Sequence, residues 1–383
     1  MEEQRIEEQQ EEQELEEGQY SFNNLYIYIT DRCNERCRHC WITPKYLEGR
    51  LEPNIPIEAF IGFIERARPL ELSYVKLTGG EPLLREDIGD LLLYLAENEL
   101  SIGIETNGTL ITEEKAILLK KLDVHISISL DAADPQVHDH LRGVSGAHEG
   151  ALRGIRLLKE QGIRSLHTIM ALYRDNLDQL EPTLTLNQEL GIESVKINPI
   201  TEMGRGTKMG ERGLLFTPRE LLHLKRELIP ELEERYDISI NLDLPCGGYE
   251  SLWHMRQKRR IGRCAFLNLL SVLANGDITF CGWGYSNPDW IMGNILDPDL
   301  DLTDLWENHS LLQEARSKIP EELEGVCASC IMKKGCLGKC RAYALAKYGS
   351  ITSSDPKCQE LYDAGLFPAA RLVDTYRSAA AAG

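Results

Sequence analysis

Hydrophobic positions recur with two periods along this chain. In LYIYIT at 25–30 they alternate, and the β-branched and aromatic residues there suit a strand. Ile57, Phe60, Ile61 and Ile64 instead fall at helical spacing behind an Asn54/Pro56 start signal. LSYVKL at 72–77 returns to the strand pattern, and Ile88, Leu91, Leu92 and Leu95 mark the next helix. Strand patterns follow near 101–106, 124–130, 165–170 and 194–198, each with a helical stretch behind it, the last opening at Thr217-Pro218. About six such units in series predict a parallel sheet wrapped by helices, an open, partial (β/α)6 TIM-like barrel of the α/β class. In such sheets ligands sit at the carboxyl ends of the strands.

Near 236 the rhythm stops. ISINLDLPCGG gives way to scattered cysteines, glycines and short apolar runs. The expected organisation is therefore an acidic tail over 1–20, a barrel over 21–235 and a cysteine-rich domain with a C-terminal helix over 236–383. A chain of 383 residues also exceeds the ~250–300 at which a single core stops growing.

Charge narrows the class of partner. A net charge of −19 opposes broad binding to nucleic acid or anionic membrane, both of which attract a surplus of Lys and Arg. Residues 2–17 alone hold nine Glu against one Arg, with almost nothing apolar to bury, so they read as a solvated tail without chemistry. No apolar run approaches the ~20 residues of a membrane span, and no signal peptide opens the chain, so a cytoplasmic location is expected. Eleven cysteines in a reduced compartment point to metal.

The stretch TDRCNERCRHCW at 30–41 places Cys33, Cys37 and Cys40 directly behind the first strand, on the edge where ligands bind. A four-iron cluster normally takes four thiolates, so three leave one iron open to a ligand that is not protein. A zinc half-site completed by His39 is the alternative at this point. The C-x3-C-x2-C spacing, with the aromatic Trp41 beside the last cysteine, resembles the radical S-adenosylmethionine (radical SAM) family. That resemblance implies a [4Fe–4S] cluster whose open iron is chelated by SAM, and a 5′-deoxyadenosyl radical that abstracts hydrogen from the substrate. Gly79-Gly80-Glu81-Pro82 at the end of the second strand resembles the family's GGE motif, whose backbone holds the SAM amino group, glycine being needed for close backbone approach. ETNGT at 105–109, ISLD at 128–131 and HDHLRG at 138–143 follow in the same order. By the same resemblance Glu105 and Ser129 lie against SAM and Arg142 meets its carboxylate.

The second half carries Cys264, Gly276 and Cys281, then Cys327, Cys330, Cys336, Cys340 and Cys358. This pattern resembles the SPASM domain, which holds two auxiliary [4Fe–4S] clusters in peptide-modifying radical SAM enzymes. The resemblance assigns Cys264, Cys281 and Cys340 to the first cluster, with Cys246 in its fourth position or absent from it, and Cys327, Cys330, Cys336 and Cys358 to the second. A pair of zinc knots in a binding protein is the non-enzymatic alternative. Sulfatase maturases carry an acidic residue after the cysteine equivalent to Cys281, where this chain has Gly282. The leading expectation is a maturase of a ribosomally made precursor peptide. Behind it stand two alternatives of the same class, an anaerobic sulfatase maturase and an enzyme of a cofactor or tetrapyrrole pathway. No winged-helix leader-binding domain fits before Leu25, so a separate leader-binding protein, and an electron donor such as flavodoxin or ferredoxin, are the expected partners. No catalytic acid or base is assigned; Tyr26, Tyr28, Glu105 and Asp243 are polar residues expected near the cavity.

Overall fold

The computed structural model describes residues 20–42, 45–46, 54–248 and 264–373. The acidic stretch 2–17 lies outside them, as does the side chain of Cys246.

Parallel strands run in chain order β1 (Asn24–Thr30), β2 (Tyr74–Gly79), β3 (Ser101–Thr106), β4 (His125–Ser129), β5 (Leu166–Leu172), β6 (Ser194–Pro199) and β7 (Ser239–Leu242). The pairings Leu25↔Val75, Val75↔Ile102, Ile104↔Ile126, Ile128↔Thr168, Thr168↔Val195 and Val195↔Ile240 set the register. The first six are the strands that the alternation predicts. β7 is a seventh, and it lies beyond the boundary expected at 235/236. Its Ile240 and Leu242 are buried and Ser239 and Asn241 exposed, a correct strand pattern only four residues long.

The cysteine-rich half is joined to the barrel through the same sheet. β8 (Leu269–Val272) pairs in parallel with the free edge of β1, and β9 (Asp277–Thr279) and β10 (Gly293–Asn294) extend it antiparallel. The sheet order is β10-β9-β8-β1-β2-β3-β4-β5-β6-β7.

The two-residue period sorts the barrel strands. Leu25, Ile27, Val75, Leu77, Ile102 and Ile104 face the helices, where they pack on Phe60, Phe63 and Ile64 of α1 (Ile57–Ala67) and on Leu91, Leu92 and Leu95 of α2 (Ile88–Glu97). Burying each of these side chains contributes about 1.5–3 kcal/mol. The alternate positions, among them Tyr26, Lys76, Glu105, Ser127, Lys196 and Asn198, turn to the lumen and are polar. Burying charge there requires partners. Lys76 donates to Glu105 at 3.0 Å and sits 3.8 Å over the Tyr26 ring. The helices begin where capping chemistry places them: α3 (Glu113–Lys121) at Thr112, α4 (Pro135–Arg142) at Asp134, and the helix Pro218–His223 at Thr217 with a Glu220 capping box. α5 (Ala147–Glu160) and α6 (Leu180–Glu189) complete the wrap. No helix among the described residues is long and apolar enough to cross a membrane.

Candidate functional site

The carboxyl ends of the strands open into one cavity of about 490 Å³. Cys33, Cys37, Cys40, Gly79, Gly80, Glu81, Glu105, Ser129 and Arg142, each singled out in the sequence, all line it.

The three-cysteine loop is held from several sides. Arg36 N–H donates to Arg142 O at 2.9 Å and Arg38 N–H to Leu141 O at 2.8 Å, which docks the loop on the end of α4. Gly143 ends that helix at φ +70°, and a Cβ there would stand 2.6 Å from Arg36 O. From the other side Arg205 N–H donates to Cys40 O at 3.0 Å. The turn after β3 adds a third brace: Asn107 Nδ2 donates to Asn34 Oδ1 at 2.8 Å, and Asn34 Nδ2 to Thr109 Oγ1 at 2.8 Å.

The paired glycines have a physical cause beside the one that the resemblance implies. A Cβ on Gly80 would lie 2.0 Å from Arg32 O, and one on Gly79, at φ +125°, 2.4 Å from Thr30 O. The close approach is thus to the backbone of the cysteine loop itself, where Gly80 N–H donates to Thr30 O and Glu81 N–H to Arg32 O, both at 2.8 Å. The Glu81 carboxylate is fully buried and accepts from Thr106 Oγ1 at 2.6 Å, Asn107 N at 2.8 Å and Leu83 N at 3.0 Å. It ties the end of β2 to the end of β3.

Charges around the loop are paired in depth. Arg142 Nε donates to Asp131 Oδ2 at 2.6 Å, and its NH1 stands 3.7 Å from Glu35 Oε2 and 3.7 Å from Cys37 Sγ. Burial raises Asp131, but Arg142 outweighs it and holds the carboxyl below its ordinary value. Burial wins at Glu35, which is pushed up to about 7 despite Arg142. Burial, reinforced by Arg142, lowers His39 to about 4, so its ring is neutral near pH 7. Glu105 is likewise opposed by burial yet held below its ordinary value by Lys76, with Thr78 Oγ1 donating to it at 3.2 Å. Among the described residues, three buried polar atoms of the lining have no partner: Glu35 Oε1, His39 Nδ1 and Asn198 Oδ1.

The bare thiols are strongly protonated in this setting. Burial pushes Cys33 up to about 12 and Cys340 up to about 11, and raises Cys37 and Cys281 further. Thiolate is stable there only against a cationic core, so metal loading releases protons.

Cys281 and Cys340 line the same cavity as the three-cysteine loop, with Asp243, Lys339, Tyr343, Asp355 and Lys357. Cys264 interacts electrostatically with both thiols. Cys327, Cys330, Cys336 and Cys358 line a separate small cavity with Gly247 and Phe367. Among the described residues no three His, Cys, Asp or Glu side chains converge at the spacing of a single metal ion.

Of the expected polar residues, Asp243 lines the cavity, whereas Tyr26 and Tyr28 pack beneath it: Tyr26 under Lys76, and Tyr28 with its hydroxyl accepting from Gly282 N at 3.1 Å. The sequence reading did not single out Glu35, Asp131, Asn198, Lys339 or Lys357. Asn198 was within reach of it, since it follows the alternation of β6 to the strand's carboxyl end.

Comparison with known proteins matches residues 27–186 to the radical SAM superfamily and residues 264–331 to SPASM, an iron–sulfur cluster-binding domain. The chain is 28% identical over 353 residues to an AdoMet-dependent heme synthase of Methanosarcina barkeri, covering 86% of this chain and 94% of that protein. It is 26% identical over 342 residues to the mycofactocin maturase MftC of Mycobacterium tuberculosis, covering 86% and 81%. Among solved structures, Streptococcus suis SuiB bound to precursor peptide SuiA has a TM-score of 0.68 at 21% identity, over 88% of this chain and 76% of that one, a likeness of fold.

Proposed function

The chain belongs to the radical SAM superfamily and carries a SPASM domain, so it is an iron–sulfur enzyme whose cofactors are SAM and [4Fe–4S] clusters; from this premise we propose that it matures a ribosomally made precursor peptide. In this reading Cys33, Cys37 and Cys40 hold the SAM-binding cluster, and Gly79, Gly80, Glu81, Glu105, Ser129 and Arg142 surround SAM. Cys264, Cys281 and Cys340, with Cys246 as the candidate fourth ligand, hold the first auxiliary cluster. Cys327, Cys330, Cys336 and Cys358 hold the second.

The residues present suit these groups. The partnerless Glu35 Oε1 and Asn198 Oδ1 are acceptors for a ligand rich in amine and hydroxyl donors, and the neutral His39 ring offers Nδ1 as donor or acceptor according to its tautomer. The observation that carries the reading is that two cysteine sets line one cavity, Cys33, Cys37 and Cys40 together with Cys281 and Cys340. When bound, SAM and the reduced cluster supply the hydrogen-abstracting 5′-deoxyadenosyl radical. The chain's part is to hold the substrate between the two sets and to keep water away, with the loop fixed by α4 and by the turn after β3. A separate leader-binding protein and a flavodoxin or ferredoxin complete the proposed system.

The sulfatase-maturase alternative loses support at Gly282. A Cβ there would lie 2.2 Å from the Tyr28 hydroxyl, so this backbone leaves no room for an acidic side chain beside Cys281. A tetrapyrrole substrate is the second reading, favoured by the similarity to the heme synthase. The test is anaerobic, reductive incubation of the reconstituted enzyme with SAM and the short peptides encoded beside its gene, with mass analysis of peptide and 5′-deoxyadenosine. A mass change in one peptide is expected. Turnover of coproporphyrin with every peptide unchanged overturns the peptide reading.

A further inference from the structure

Cations are distributed unevenly around the cavity. On the side of the three-cysteine loop Arg142 is engaged by Asp131 and Glu35, and in the lumen beneath it Lys76 is engaged by Glu105. Another part of the lining comes from residues just past β7 and from residues between 339 and 357. There Lys339 Nζ binds Asp243 Oδ1 at 2.9 Å. Asp355 caps the helix Pro356–Asp363, its Oδ1 accepting from Cys358 N at 3.1 Å. Lys357 lines the cavity and makes no ion pair or side-chain hydrogen bond among the described residues. The same holds for Lys196, which faces the lumen from β6 two residues before Asn198, a residue of the cavity lining. Lys196 and Lys357 both act electrostatically on Asp243, and Lys196 acts on Glu105 as well, so the two ammonium groups share one neighbourhood.

Ammonium groups beside a half-enclosed cavity are poorly solvated, and the carboxylates nearest them already have partners of their own. We infer that Lys357 and Lys196 receive a carboxylate of the substrate, in the part of the cavity bounded by Asp243. This deepens the proposed function and rests on it. The recognised group is an acid, and it has two possible sources: a Glu or Asp side chain or C-terminus of a peptide, or the propionate of a tetrapyrrole. Lysine serves either, because it acts as a point charge without the fixed fork of arginine. The anchored carboxylate keeps the remainder of the substrate in the cavity that Cys33, Cys37 and Cys40 also line.

The competing role for these lysines is to balance the charge of the auxiliary cluster sites, since Lys357 precedes Cys358. Lys357→Met and Lys196→Met keep the length of the side chain and remove its charge. In anaerobic, reconstituted, SAM-loaded enzyme, the probes are dansyl-Gly-Glu-Gly-amide, its Gln counterpart and coproporphyrin III, followed by fluorescence titration at low ionic strength. The acidic probe is expected to bind at least tenfold more tightly than the Gln peptide. Each variant is expected to lose at least tenfold in affinity for the acid, with the Gln peptide, iron content and visible spectrum unchanged. Binding of the acidic probes that neither variant weakens, no binding of any acidic probe, or a fall in iron content in both variants overturns the inference. If coproporphyrin III alone follows the pattern, the carboxylate site stands and the peptide reading falls. If a peptide is modified while no probe distinguishes acid from amide, the reading stands and the site falls.

Discussion

The two halves of this molecule hold their cysteines by different means. Around Cys33, Cys37 and Cys40 the support is long-range backbone pairing: the ends of β1 and β2, α4, the turn after β3 and residue 205 each bond to the loop. Around Cys327 and Cys336 the helices are only four residues long, Gly325–Ala328 and Lys333–Cys336, and even the helices that Cys340 caps and Cys358 occupies, Arg341–Tyr348 and Pro356–Asp363, have eight. There a buried guanidinium does what a ladder does elsewhere. Arg341 is 2% exposed and donates to the carbonyls of Ile351 at 2.9 Å, Ser353 at 2.5 Å and Gly338. The barrel site is therefore built into a fold that a hydrophobic core already stabilises, whereas the C-terminal site depends on its ligand for much of its order.

Removing the metal should separate the halves most sharply. In chelator-treated protein, amide exchange over 320–373 is expected to accelerate by two orders of magnitude or more relative to the holoenzyme, with β1–β6 changing less than about tenfold. Uniform acceleration in both halves would contradict the comparison. The next largest effect belongs to the barrel. Arg142→Gln leaves Asp131 and Glu35 buried without their cation, and loss of one partner from such a pair costs about 3–5 kcal/mol. The variant should melt lower even as apoprotein, which thermal denaturation followed by circular dichroism reads. Arg341→Met frees three buried carbonyls in the other half, at about 1–3 kcal/mol for each acceptor left without water or another donor. Its effect should be largest in the apoprotein and shrink once clusters are loaded, because bound metal adds stability to the same segment.

Much of the barrel was legible because its signal is local. LYIYIT and LSYVKL alternate, and Ile88, Leu91, Leu92 and Leu95 recur as a helix must, so period alone gave six strands in order and the edge where ligands collect. The seventh strand escaped because four residues, Ser239 to Leu242, carry too few alternations to stand out before a proline and cysteine. The shared sheet escaped for another reason: Leu269–Val272 reads as a short apolar run, and nothing local says that its partner is β1, some 245 residues earlier. Cysteine spacing identified the thiols without their surroundings. Motif reading also placed the right residues with an incomplete cause, as at Gly80, whose missing side chain admits the carbonyl of Arg32. Long-range charge partners such as Glu35 with Arg142, or Lys339 with Asp243, leave no periodic trace at all.

The smallest predicted effect tests depth with the chemistry held constant. Arg174 and Glu220 form a two-point pair on the surface, Nε to Oε1 at 3.1 Å and NH2 to Oε2 at 2.7 Å, with side chains 36% and 43% exposed. The Arg174 guanidinium, helped by the Thr217 hydroxyl and amide, holds Glu220 down to about 2. A carboxylate with a depressed folded pKa adds stability that is present above its unfolded pKa and is lost as pH falls through the folded value. The Glu220 contribution should therefore be complete above about pH 4.5 and disappear toward pH 2. Glu220→Gln removes the charge and keeps an acceptor for Thr217 N–H, so it should cost less than about 1 kcal/mol at pH 7 and nothing at pH 2. Urea titrations of wild type and variant at the two pH values measure this. A cost at pH 7 that matched Arg142→Gln would mean that burial is not what separates the pairs. The orientation of the cysteine loop would then owe less to the enclosed Arg142 than its distances to Asp131 and Cys37 require.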